Sequence, residues 1–245
     1  MLTRFRQLAS NIGRWDAGLF FIARACARAT GGRLRLKKFY LYAQPVAADD
    51  LTPPRRGRAI DVQEATPGPI RATDFGRPAS VIEYRLKHQC RCLLAFKAER
   101  MVGFQWFSLQ NYPEDEVRCL YELDPRDRCA WDFDIFVAPE ARTLPTFLRL
   151  WDACNGILRA AGIDLSLSRI DAFNSASRRS HGSLGARAIG WGLFMLAGRL
   201  QVSVFSSSPW LHVSGSPGSI PSWPVSRLAR RQNCTRIADS SRNSP

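Results

Sequence analysis

The strongest constraint on the fold lies between Trp131 and Ala186, where the hydrophobic pattern switches period and then switches back. Trp131-Asp-Phe-Asp-Ile-Phe-Val137 alternates as a half-buried strand does, and Ala138-Pro-Glu-Ala-Arg142 is a turn. Thr146 to Ala161 then carries apolar residues at helical spacing until Gly162 closes it. Ile163 to Phe173 is a second β-rich run, and Asn174 opens a further helix. The order is strand, loop, helix, strand, helix.

Upstream, Arg58 to Ala65 alternates like a first strand, and Pro67, Gly68, Pro69 and Pro78 make the next stretch irregular, with a short helix near 79–87. Cys92–Ala98 and Met101–Gln110, separated by Glu99-Arg100, read as a hairpin, and 116–123 as another strand. The expected domain, 58–205, is therefore an α/β (α+β) unit: a mixed, mostly antiparallel sheet flanked by helices. Pro45, Pro53 and Pro54 with Arg55, Arg56 and Gly57 mark a linker before it, and Leu34 to Leu41 reads as a strand or short connector. From Ser206 onward Ser, Pro, Gly and Arg dominate and no periodicity persists, which predicts a disordered tail over 206–245.

This order resembles the GNAT superfamily of acyl-CoA-dependent acyltransferases over roughly 60–205, most closely over 131–190. Asn174, Ser177, His181 and Gly185 stand at the spacings of a family motif: Asn, a small residue, an aromatic acid and Gly. The run Arg142-Thr-Leu-Pro145-Thr-Phe147 stands where the family has a phosphate-cradling loop. It departs from the pattern at both glycine positions: Pro145 has no N–H to donate, and Phe147 is bulky where a phosphate would approach. The resemblance implies transfer of an acyl group, usually acetyl, from acetyl-CoA or another acyl-CoA to the amine of a small molecule or protein, with no metal.

It also implies roles. Backbone groups at Phe136 and Val137, opened by a strand bulge, would hold the thioester and the pantetheine arm. Arg142 and the amides of Thr143, Leu144 and Thr146 would hold pyrophosphate, as a helix start does. Asn174 and Ser177 would line the cofactor arm. His181 would protonate the departing thiolate, because an unperturbed imidazole is partly protonated near neutrality. Asp132 and Asp134 are candidate bases for the acceptor, their alternation placing both on one face of the strand.

Charge is distributed unevenly. Residues 61–205 hold 18 Lys/Arg against 17 Asp/Glu, whereas 1–60 hold 12 against 3 and 206–245 hold 5 against 1. Within the N-terminal segment, Leu2, Phe5, Leu8, Ile12, Trp15, Leu19 and Ile22 recur at helical spacing among arginines, which predicts one amphipathic helix ending near Gly31-Gly32. Three readings stay open for it: packing on the domain, lying on an anionic membrane surface through residues 1–31, or acting as a signal peptide, whose apolar core Arg24 would interrupt. Nucleic acid is disfavoured, since no reading module accompanies the basic residues.

The seven cysteines include Cys90-x-Cys92, too tight for a zinc knuckle and without a second pair, and read as reduced thiols of a cytoplasmic protein, peripheral to the inner membrane face if the helix binds lipid. His88 and His212 have no partner pattern. Two rival functions remain: a non-catalytic domain that has lost its cofactor loop, and a basic membrane-surface adaptor built on residues 1–60.

Overall fold

The computed structural model describes residues 2–65, 75–142 and 145–232. Two helices, α1 (Leu2–Ile12) and α2 (Arg14–Ala29), precede strands β1 (Leu34–Pro45) and β2 (Ile60–Glu64). Helix α3 (Ala79–Lys87) leads to β3 (Arg91–Lys97), β4 (Arg100–Ser108) and the short β5 (Tyr112–Pro113) and β6 (Leu120–Tyr121). Then follow β7 (Cys129–Val137), α4 (Thr146–Ala160), β8 (Leu165–Asp171) and α5 (Ser175–Ser183). Strands β9 (Arg187–Ala197), β10 (Leu200–Phe205), β11 (Leu211–Ser214) and β12 (Ser222–Trp223) end in a helical stretch over 225–232. The fold is mixed α/β, its strands mostly antiparallel and flanked by helices.

The chain forms two compact units that interleave along the sequence. One holds 45–112 and 128–166. Its strands pair antiparallel in the order β2, β3, β4, β7. Helix α4 packs on them because Leu150, Trp151, Cys154 and Leu158 fall on one side of the helix, all buried, as are Leu93, Ala95, Val102 and Phe104 of the strands. Asp152, also on α4, accepts the backbone N–H groups of Leu51 and Thr52 at 2.6 and 3.2 Å and so ties down the proline-rich segment.

The other unit holds 2–44, 113–127 and 167–232 among the described residues. Strand β9 pairs antiparallel with β1 on one side and β10 on the other, and β10 with β11. Residues 34–41, expected as a strand or short connector, are therefore part of a long sheet strand, Leu34–Pro45. Inside this unit Arg169 makes a two-toothed ion pair with Glu114 (3.0 and 2.9 Å) and reaches Glu116 at 2.8 Å, its guanidinium 4.3 Å from the centre of the Phe39 ring. Glu116 also accepts from Lys37. Burial opposes a charge on Glu116, but Arg169 and Lys37 outweigh it and hold its carboxyl near pH 2.

Two expectations are corrected here. The N-terminal segment is not one helix: Gly13, at φ +92° in the left-handed region, separates α1 from α2. Residues 206–232 are also not a structureless tail. Trp223, Val225 and Ala229 are buried, and the indole of Trp223 lies against Tyr121 and Phe205 and donates to Ser207 Oγ at 2.9 Å. Gly192 of β9 leaves room for that ring, since a Cβ there would stand 3.3 Å from it. Residues 233–245 lie outside the described residues.

Candidate active site

The candidate residues divide between the two units. In the unit built on β4 and β7, the pairing Phe104↔Phe136 and Trp106↔Phe133 leaves Gln105 opposite two residues, Asp134 and Ile135. This is a β-bulge, and Asp134 takes the left-handed conformation at φ +47° to make it. The alternation that would put Asp132 and Asp134 on one face is interrupted there, and the two carboxylates have different surroundings. Asp132 is buried and accepts from Ser166 Oγ at 2.6 Å. Asp134 accepts from Arg77 at 3.0 and 2.5 Å and from Arg85 at 2.6 Å. Burial works against its charge, but Arg77 and Arg85 outweigh burial and hold the carboxyl below the usual range, which makes it a weaker base. Arg85 is itself fixed, its guanidinium 5.3 and 5.1 Å from the rings of Trp106 and Phe133.

Beyond the bulge the chain is closely packed. Phe136 stacks on Phe104 at 5.4 Å, and its carbonyl oxygen approaches Gly103 so closely that a Cβ there would sit 2.8 Å away. Arg142 is exposed and donates from Nε to the Val137 carbonyl at 3.2 Å. Thr143 and Leu144 lie outside the described residues. Pro145 stands at the N-cap of α4, whose first turn has neither a side-chain cap nor an acidic residue. Thr146 is buried and leans back on the Ala141 carbonyl at 3.4 Å. A helix start with no side-chain cap among the described residues, and with an arginine shortly before it in sequence, suits an anion.

In the other unit, Asn174 caps α5: its side-chain oxygen accepts the N–H of Ser177 at 3.0 Å. Gly185, at φ +83°, ends the same helix, with Gly185 N–H bonded to the Gly182 carbonyl and Ala186 N–H to that of His181, each at 3.0 Å. Asn174, Ser177 and Gly185 thus have a structural duty as the start and stop of a nine-residue helix. His181 lies in its last turn, 5% exposed. Burial lowers its pKa to about 4, so the expected partial protonation near neutrality is corrected to about one molecule in a thousand at pH 7.

That shift has a consequence for stability. The unfolded imidazole takes up its proton near pH 6.5 and the folded one only near 4, so the unfolded state binds more protons between them. Stability should fall by about 3 kcal/mol as pH drops through this window. Denaturant titrations at neutral and acid pH should show His181→Gln losing less stability than the wild type on acidification; equal losses would mean His181 is not the group responsible.

Sequence reasoning missed Arg77 and Arg85, which control Asp134, and a cluster on β1. There Asp16 of α2 is buried and accepts from Lys38 Nζ at 2.7 Å and from the Tyr40 hydroxyl at 2.8 Å. Arg178 of α5 lies 3.7 Å from the same carboxylate and donates to the Tyr42 hydroxyl at 3.3 Å. No local pattern announces either cluster, because the partners are far apart in sequence.

Among the described residues one carboxylate group, Glu114, Asp115 and Glu116, is close enough to hold a cation, but Arg169 and Lys37 already occupy Glu114 and Glu116. None of the six described cysteines is in a disulfide, and burial raises the Cys92 and Cys154 thiols, which keeps them protonated.

No protein-family model matches this chain, and no curated protein sequence does. Solved structures follow part of its course. A functionally unknown conserved protein from Staphylococcus epidermidis aligns at 13% identity and a TM-score of 0.49, over 70% of this chain and 64% of its own. A tandem GNAT protein from the clavulanic acid biosynthesis pathway aligns at 12% and 0.45, over 67% and 55%. A GCN5-related N-acetyltransferase from Sphaerobacter thermophilus aligns at 18% and 0.41, over 67% and 52%. The chain spans less than two thirds of the length of each, and likeness of this depth does not establish a family.

Proposed function

We propose that the chain transfers an acyl group, acetyl in the simplest case, from coenzyme A to an amine. The observation that carries this reading is the bulge at Asp134 and Ile135, followed by the exposed Arg142 and the acid-free, uncapped start of α4. A bulge interrupts the regular ladder and frees backbone groups to bind an extended ligand arm. The helix start and Arg142 would then meet the pyrophosphate.

In this reading the acceptor nitrogen attacks the thioester carbonyl, the carbon–sulfur bond breaks, and coenzyme A departs as thiolate. Main-chain groups at Phe136 and Val137 orient the thioester. Arg142 and the amides of Thr143, Leu144 and Thr146 bind phosphate, Pro145 contributing none. Asn174 and Ser177 lie in the other unit, where they cap the start of α5. The proton lost by the amine leaves through water, since Asp132 is buried and Asp134 is held by two arginines. His181, neutral at pH 7, is a poor acid, and the thiolate takes its proton from solvent.

Arg142→Ala should weaken acetyl-CoA by roughly tenfold or more, the worth of a charge-assisted hydrogen bond of about 1.5–3 kcal/mol. Because Arg142 is exposed and, among the described residues, its side chain bonds to a neighbouring carbonyl, the variant should melt with the wild type. Unchanged affinity in a folded variant would remove the phosphate role. The same titration on His181→Ala should leave affinity intact, and turnover within a few-fold of wild type; a loss of about a hundredfold or more would restore His181 as the acid.

A further inference from the structure

Helix α2 leaves one stripe uncovered. Trp15, Gly18, Ile22, Ala25 and Ala29 recur every three or four residues and so share one side of the helix. Trp15 is 92% exposed and Ile22 55%. The helix is not free to turn this side inward. Asp16 is pinned to Lys38 and Tyr40, and Phe20 packs edge-on against Phe173 at 5.3 Å.

The charge around the stripe has one sign. Between residues 2 and 35 there are seven arginines, at 4, 6, 14, 24, 28, 33 and 35, and all of them are exposed. The single acid in that span, Asp16, is buried against Lys38. A cleft of about 900 Å³ between α1 and α2 combines both chemistries, with half-buried Leu8, Phe20 and Phe21 beside exposed Arg4, Arg24 and Arg28. Among the described residues no helix is long and apolar enough to cross a membrane.

We propose that α1 and α2 seat this chain on a bilayer surface rich in acidic phospholipid. Trp15 and Ile22 enter the headgroup layer, and the arginines meet lipid phosphates. An acidic bilayer presents anionic phosphate above hydrocarbon, which matches the pairing of exposed arginine with exposed apolar side chains on one helical hairpin. A nucleic acid would use the arginines but leaves Ile22 and the alanine stripe without a partner, and Trp15 is the only largely exposed aromatic on these helices. An acidic protein would likewise answer the charge, but it would need an apolar pocket of its own to cover the exposed Trp15 and Ile22. The inference is independent of the acyl-transfer reading.

The test is flotation of the full chain with vesicles of phosphatidylcholine alone and of phosphatidylcholine with phosphatidylglycerol. Binding should be at least about tenfold stronger to the acidic vesicles and should weaken as salt is raised. The exposed-site variant Trp15→Ser with Ile22→Ser should melt with the wild type and lose about tenfold in vesicle binding, and Arg24→Gln with Arg28→Gln should lose a similar factor. Failure of the wild type to float with acidic vesicles, equal binding to both vesicle types, or folded variants that bind undiminished would each overturn the proposal. So would tighter binding to duplex DNA than to the acidic vesicles, or an oligomer that the Trp15 and Ile22 changes dissociate while the wild type ignores lipid.

Discussion

Replacing Arg169 with alanine is expected to cost about 3–5 kcal/mol of stability, a large share of the roughly 5–15 kcal/mol that holds a typical domain folded. The reason is what remains. Glu114 is almost wholly buried and is held by two hydrogen bonds from the guanidinium, so removing Arg169 strands a carboxyl group away from water. Phe39 loses the cation on its face, and Glu116 keeps only Lys37. Denaturant titration measures the loss directly. Removing both charges should recover most of it: Arg169→Met with Glu114→Leu leaves no stranded carboxyl, and the pair's net worth is much smaller than the cost of breaking it. If Arg169→Ala melts like the wild type, the buried pair is not formed as described.

How much of this was legible beforehand depended on the range of the signal. Gly162, Asn174 and Gly185 act on their immediate neighbours, as terminators and caps, and their positions bound α4, β8 and α5 to within a few residues. The short helix at 79–87 and the hairpin of β3 and β4 are local in the same sense. The ion pairs are not: Arg169 finds Glu114 across 55 residues, and Asp134 finds Arg77 across 57. No spacing rule reaches that far.

The N-terminal segment failed for a subtler reason. Leu2 through Ile22 keep helical spacing, but Gly13 breaks the helix, so residues that would continue one face are rotated onto another. Phe5 packs against Phe21 at 6.0 Å while Trp15 and Ile22 face water. The burial of His181 was equally unreadable, since a helix rich in Ser and Arg gives no hint that its one histidine lies under cover, and with that burial goes the protonation on which a role as acid depended.

The stretch after Phe205 illustrates the opposite error. Its strands are four and two residues long, too short to establish a period, and Trp223 looked isolated among turn formers. Its partners lie in β6, β9 and β10. Trp223→Ala should therefore destabilise the chain by about 3–5 kcal/mol, since it empties the space of a fully buried indole and removes the hydrogen bond to Ser207. Truncation after Phe205 should cost at least as much, because it also removes Val225, Ala229 and the outer strand β11. A truncated chain that melts with the full one would show that these contacts contribute little.

The acyl-transfer reading stands or falls with a ligand. Titration of acetyl-CoA into the full chain by calorimetry should give saturable binding, and an amine acceptor added to the complex should yield acetylated product detectable by its mass. The absence of any heat at millimolar acetyl-CoA, with the chain folded, would contradict the account and leave the bulge and the open helix start as features of a non-catalytic domain.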